Sequence, residues 1–81
     1  MTRKEKFLKE IDEVIQNNLS YCHLEVYIEM PDLPDNEKIV NTFANMQPKR
    51  NYYERAYDDD LNLIANPDIK IAKWNVGSMN Y

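Results

Sequence analysis

The chain has 81 residues, 43% of them hydrophobic, with 14 acidic against 10 basic side chains and a formal net charge of −4. That length holds one domain with a thin core, burying about 60% of the surface its unfolded form exposes, and the apolar content is too high for a disordered segment. A single cysteine, Cys22, excludes an internal disulfide, no opening apolar stretch reads as a signal peptide, and no apolar run reaches membrane-spanning length, so the expected compartment is the cytoplasm, without membrane association.

Residues 2–18 read as an amphipathic helix. Thr2 and Glu5 form a capping-box pattern, and Phe7, Leu8, Ile11, Val14 and Ile15 recur at helical spacing. Asn17 and Asn18 terminate it. Residues 21–30 read as a half-buried strand, because Cys22, Leu24, Val26, Ile28 and Met30 alternate with Tyr21, His23, Glu25, Tyr27 and Glu29. Pro31 to Asp35 is a turn, and Asp35 is suited to cap a second helix at 36–47 with a stripe of Ile39, Val40, Phe43 and Met46. Pro48 is expected to end that helix. A third helix is predicted over 49–65, burying Tyr53, Ala56, Tyr57, Leu61 and Ile64 and leaving Asp60 as the misfit. The competing reading breaks this helix near Asp58 and makes Leu61–Ala65 one arm of a hairpin that turns at Asn66-Pro67-Asp68. Residues 69–76 read as a strand with Ile69 and Ile71 on one face and Ala72, Trp74 and Val76 on the other, followed by a frayed tail from Gly77 to Tyr81. The expected fold class is α+β: helix-strand-helix-helix-strand, with a two-stranded antiparallel sheet packed on helices and both sheet edges available to a partner or a second copy.

The charges are segregated. From Glu10 to Glu37 there are eight acids and no Lys or Arg, and Asp58, Asp59 and Asp60 are consecutive. Such a stretch argues against phosphate binding there and suits a basic partner. Nucleophilic catalysis has little to work with, because Cys22 and His23 are adjacent on a strand and so face opposite ways. Three consecutive aspartates on a helix diverge by about 100° each and cannot chelate together, so neither metal nor cofactor is expected. One glycine, Gly77, cannot make a phosphate-cradling loop. Lys49, Arg50, Tyr52 and Arg55 combine cations with aromatics, a composition that serves nucleic-acid contact and equally a solvated face over buried Tyr53 and Tyr57. The basic start, Arg3, Lys4, Lys6 and Lys9, opposes the helix dipole. The polar strand face offers Glu25, Tyr27 and Glu29 at alternate positions, about 6.6 Å apart. Its plain reading is a solubilising surface; its functional reading is an interface in which carboxylates imitate nucleic-acid phosphates beside an anchoring tyrosine.

The segment from Tyr52 to Leu61 (Tyr-Tyr-Glu-Arg-Ala-Tyr-Asp-Asp-Asp-Leu), followed by Asn66-Pro67-Asp68-Ile69-Lys70-Ile71, resembles small proteins of Gram-positive bacteriophages. In length, acidity and Tyr/Asn content the chain is also similar to phage anti-defence proteins such as inhibitors of CRISPR effector nucleases. The resemblance implies stoichiometric binding to a host protein and carries no site residues with it. The expectation is therefore a non-enzymatic inhibitor of a host nucleic-acid-handling or defence protein, with Glu25, Tyr27, Glu29, Asp58, Asp59 and Asp60 as contacts. The alternatives are a DNA- or RNA-binding protein using Lys49, Arg50, Tyr52 and Arg55, and an accessory subunit or homodimer that pairs through a sheet edge.

Overall fold

Thr2 opens the first helix through the predicted capping box. Its Oγ1 accepts from the Glu5 N–H at 3.1 Å, and Glu5 Oε1 accepts from the Thr2 N–H at 3.0 Å. The computed structural model describes residues 1–33 and 36–78 and orders them as α1 (Arg3–Gln16), β1 (Cys22–Glu29), β2 (Glu37–Thr42), α2 (Phe43–Ala56) and β3 (Lys70–Ser78). The fold is α+β. Asn17 caps the C-terminus of α1, and Asn18, at φ 52, supplies the left-handed residue that turns the chain toward β1.

β1 lies in the middle of a three-stranded antiparallel sheet of order β2-β1-β3. Its alternation is the one predicted: Cys22, Leu24, Val26 and Ile28 are buried on the face the helices cover. Phe7, Ile11, Met46, Tyr53, Leu61 and Ile71 complete that core. Phe7 joins its parts, with ring centroids 5.2 Å from Tyr53 and 5.0 Å from Trp74. A buried ring with two aromatic neighbours contributes beyond its area, by about 0.5–1.5 kcal/mol per pair.

The second predicted helix is corrected. Residues 37–42 form an edge strand, and helix begins only at Phe43. The apolar spacing is shared by both structures, but pairing with β1 decides: Ile39 sits opposite Val26 and Asn41 opposite Leu24, while Val40 turns outward and stays 48% exposed. The sheet therefore has three strands instead of two. Thr42, in extended backbone, is the N-cap of α2; the capping role expected of Asp35 lies outside the described residues. Pro48 does not end a helix but sits inside α2. Its missing N–H frees the carbonyl of Ala44, and both residues are exposed, so water can satisfy that oxygen.

The third predicted helix is corrected at Tyr57, where the backbone becomes extended at φ −117, ψ 147, and Ile64, expected on its buried stripe, is 60% exposed. The hairpin-like alternative prevails. Tyr57 bridges Leu63, Asn62 bridges Lys70, and Ile69 N–H donates to Asn66 O at 2.9 Å. Asp58 organises the turn, accepting at Oδ1 from the N–H groups of Asp60 (3.0 Å) and Asn62 (2.9 Å). Leu61 is fully buried there with φ 63, a left-handed conformation that a bulky residue holds only when its surroundings impose it. The basic helix start has its explanation in the same place. Arg3 donates to Asp60 O, Ile71 O and Ala72 O at 3.1, 3.2 and 3.0 Å, and Lys4 Nζ donates to Tyr57 O at 2.7 Å. Carbonyl contacts outweigh an unfavourable dipole term of less than about 1 kcal/mol.

β3 does not present apolar residues to both faces. A bulge between Tyr27/Lys73 and Ile28/Ile71 leaves Ala72 unpaired and shifts the alternation by one. Ile71 lies opposite Ile28, Trp74 opposite Val26 and Val76 opposite Leu24, all on the covered face. Pairing continues through Gly77 and Ser78, residues expected in the tail; Met79 to Tyr81 lie outside the described residues.

Asp58→Ala is expected to cost about 2 kcal/mol, read as a fall in Tm of about 10 °C, because two turn amides lose a charged acceptor. Asp58→Asn keeps the acceptor oxygen and is expected to cost less. Burial raises the Tyr53 phenol from 10.0 to about 12, and burial raises Tyr57 as well. The unfolded chain thus gives up these protons first as pH rises. Stability from both groups is full below pH 10 and is lost as pH rises above it, for Tyr53 across the window from 10 to about 12, so tyrosine ionisation and circular dichroism should change together there.

Candidate functional site

Helices cover one face of the sheet, and among the described residues no element covers the other. Side chains that alternate with the core residues of β1 project there: His23, Glu25, Tyr27 and Glu29. Their cross-strand neighbours come from elements far apart in sequence. His23 lies between Thr42 and Gly77, Glu25 between Val40 and Asn75, Tyr27 between Lys38 and Lys73, and Glu29 beside Lys70.

This arrangement changes the electrostatics of the predicted acidic face. Lys38 Nζ pairs with Glu25 Oε2 at 3.3 Å, and Lys70 Nζ with Glu29 Oε2 at 3.1 Å. Lys73 Nζ sits 4.6 Å from the centroid of the Tyr27 ring. Exposed ion pairs stabilise by only about 0–1 kcal/mol, so their main effect is to orient side chains and cancel charge. Glu25, Tyr27 and Glu29 therefore share a face, but three lysines stand among them. Sequence reading missed Lys38, Lys70, Lys73 and Val40. The usable signal was the run Lys38-Ile39-Val40-Asn41-Thr42, which has β-branched residues in an alternating frame as well as a helical one.

Asp58, Asp59 and Asp60 do not join that face. They lie in the turn that Arg3 and Lys4 fasten to the start of α1 and to β3. Asp58 is committed to its own backbone, while the side chains of Asp59 and Asp60 are exposed. No group of His, Cys, Asp and Glu suited to a metal ion occurs among the described residues. Cys22 is buried under the sheet while neighbouring His23 projects on the opposite side, as strand alternation demands.

The basic cluster on α2 divides in two. Arg50 is part of the scaffold: Nε and Nη2 donate to the two oxygens of Asp12 at 2.9 and 3.2 Å, and Nη1 pairs with Glu54 at 2.9 Å. It ties α2 to α1. Lys49 and Arg55 instead flank Tyr52, each cation 5.6 Å from the ring centroid, on the outer surface of α2.

Comparison with known proteins finds no match: no family model, curated protein or solved structure is similar to the chain.

Arg50→Ala is expected to cost about 1–2 kcal/mol in thermal or urea unfolding, and Arg50→Lys to recover only part, since a lysine cannot form the two-pronged contact with Asp12.

Proposed function

We propose that this chain is a non-catalytic binding protein that holds another protein against the uncovered face of its sheet. One observation carries the reading: Tyr27 stands in the middle of that face, flanked by Lys38 and Lys73 across the strands and by Glu25 and Glu29 along its own. A tyrosine anchor ringed by charges of both signs has the composition of a protein–protein contact, with aromatic surface for affinity and alternating charge for register. Because the glutamates are paired with lysines, recognition here works by exchange of ion pairs instead of imitation of a phosphate backbone. The target we propose is a host nucleic-acid-handling or defence protein, which the chain inhibits by occupying it. The net charge of −4, with Asp59 and Asp60 exposed away from that face, supports long-range attraction to a partner with basic surface rather than contact at the face itself.

A second reading, nucleic-acid binding, rests on the stack of Tyr52 between Lys49 and Arg55. It requires affinity that falls steeply with salt and collapses in Lys49→Ala, Tyr52→Ala and Arg55→Ala.

The test is affinity capture from a bacterial lysate with and without nuclease, followed by titration of the captured protein. Tyr27→Ala is expected to weaken binding by tenfold or more, and joint Glu25→Lys and Glu29→Lys substitution to slow association. A partner bound equally well by both variants would overturn the assignment of this face. Recovery of material only when nucleic acid is intact would favour the α2 stack.

A further inference from the structure

The two edges of the sheet are not equivalent. Along β3 the regular array of backbone donors and acceptors is interrupted at its start. Ala72 bulges, Arg3 occupies the carbonyls of Ile71 and Ala72, and the Ile71 N–H donates to Leu61 O at 2.9 Å. A bulge and a covering segment are the usual protections against further strand pairing. β2 has neither. It pairs with β1 in unbroken register from Glu37 to Thr42, and no strand of the described residues lies on its other side. Its only charges, Glu37 and Lys38, stand at one end, and Ile39-Val40-Asn41-Thr42 follow without charge, proline or glycine. Val40 is 48% exposed on the bare face.

We infer that the chain forms a two-fold dimer by antiparallel pairing of β2 with β2 of a second copy, giving a six-stranded sheet of order β3-β1-β2-β2-β1-β3. Two-fold symmetry about an axis through the sheet allows only registers centred on a residue. Centred on Val40, the pairing sets Val40 against its own copy, Ile39 beside Asn41 and Lys38 opposite Thr42, so no like charges meet. At β3 the bulge and the Arg3 contacts at Ile71 and Ala72 disfavour the same pairing over the first part of that edge. α2 packs over β2, so the same operation sets the two α2 helices side by side above the new sheet.

Area gives the second reason. Strands of 8, 6 and 9 residues, at about 3.3 Å per residue and about 4.8 Å apart, present a face of about 360 Å² in projection. A stable protein interface takes about 800 Å² from each partner. One copy's face falls well short of that, and the dimer doubles it into one continuous surface with two Tyr27 anchors. The inference thus deepens the proposed function, whose surface is incomplete in a single copy, yet its own test needs no partner protein.

The experiment is sedimentation velocity or light scattering on the purified full chain. A mass of twice the 9.7 kDa of one chain is expected at concentrations up to about 100 µM. Val40→Lys should raise the dimer dissociation constant at least tenfold by setting like charges against each other at the axis. Within one copy the new lysine lies opposite Glu25, which favours the monomer fold; circular dichroism checks that it persists. Should that variant fail to fold, Thr42→Lys places a lysine opposite the partner copy's Lys38 without entering the core and is expected to dissociate the dimer likewise. Asn75→Lys on β3 should leave the dimer intact. A wild-type monomer throughout this range, or a folded Val40→Lys or Thr42→Lys chain that stays dimeric, overturns the inference. Either result leaves the Tyr27 test of the binding face to stand or fall separately.

Discussion

The apolar face of β1 is the constraint on which the rest of the molecule depends. Leu24, Val26 and Ile28 are almost fully removed from water, and each other element is positioned by what it adds to them. α1 contributes Phe7 and Ile11, α2 contributes Met46 and Tyr53, and the neighbouring strands contribute Ile39 on one side and Ile71, Trp74 and Val76 on the other. A domain this small has no second core to fall back on. Alternation along β1 therefore sets the covered face, and by the same period it sets which residues face away from the helices.

Polar contacts then decide how the edges are finished. Arg3 and Lys4 place positive charge where a helix dipole disfavours it, and the carbonyls of Tyr57, Asp60, Ile71 and Ala72 supply the compensation. Asp58 holds a turn in which Leu61 adopts a left-handed conformation to reach the core. These contacts cover the start of β3. On the other side, Asn41 is buried with Oδ1 accepting from the Tyr53 hydroxyl at 3.3 Å, and its Nδ2 has no hydrogen-bond partner among the described residues. An unmet donor in the core costs stability, and His23 Nδ1 on β1 is likewise buried without a partner among the described residues.

The proposed function rests on this asymmetry of faces. The bare face brings Lys38, Lys70 and Lys73 to Glu25, Tyr27 and Glu29, turning a run of acids into a surface of matched charges around one aromatic ring. Charge at Asp12 and Arg50 is consumed in joining the two helices. The exposed carboxylates of Asp59 and Asp60 and the Lys49–Tyr52–Arg55 stack lie on other parts of the molecule. The surface is a mosaic of small features.

The sequence by itself determined what one local period can encode. The capping box and stripe of α1 and the in-out alternation of β1 were legible, because each depends on neighbours within a turn or two of chain; Tyr57 and Leu61 are buried as expected, but through the extended segment and turn after α2 instead of the helix assigned to them. The α+β class follows from them. Residues 37–42 were not legible, since Ile39, Val40, Phe43 and Met46 fit a helical stripe and a strand edge equally well until β1 supplies a partner. The bulge at Ala72 could not be read from spacing, because one unpaired residue reverses every later side chain. The character of the candidate site belonged to tertiary structure for the same reason. Glu25 and Glu29 are unambiguous in the chain, but the lysines that neutralise them arrive from strands whose register only the folded sheet establishes.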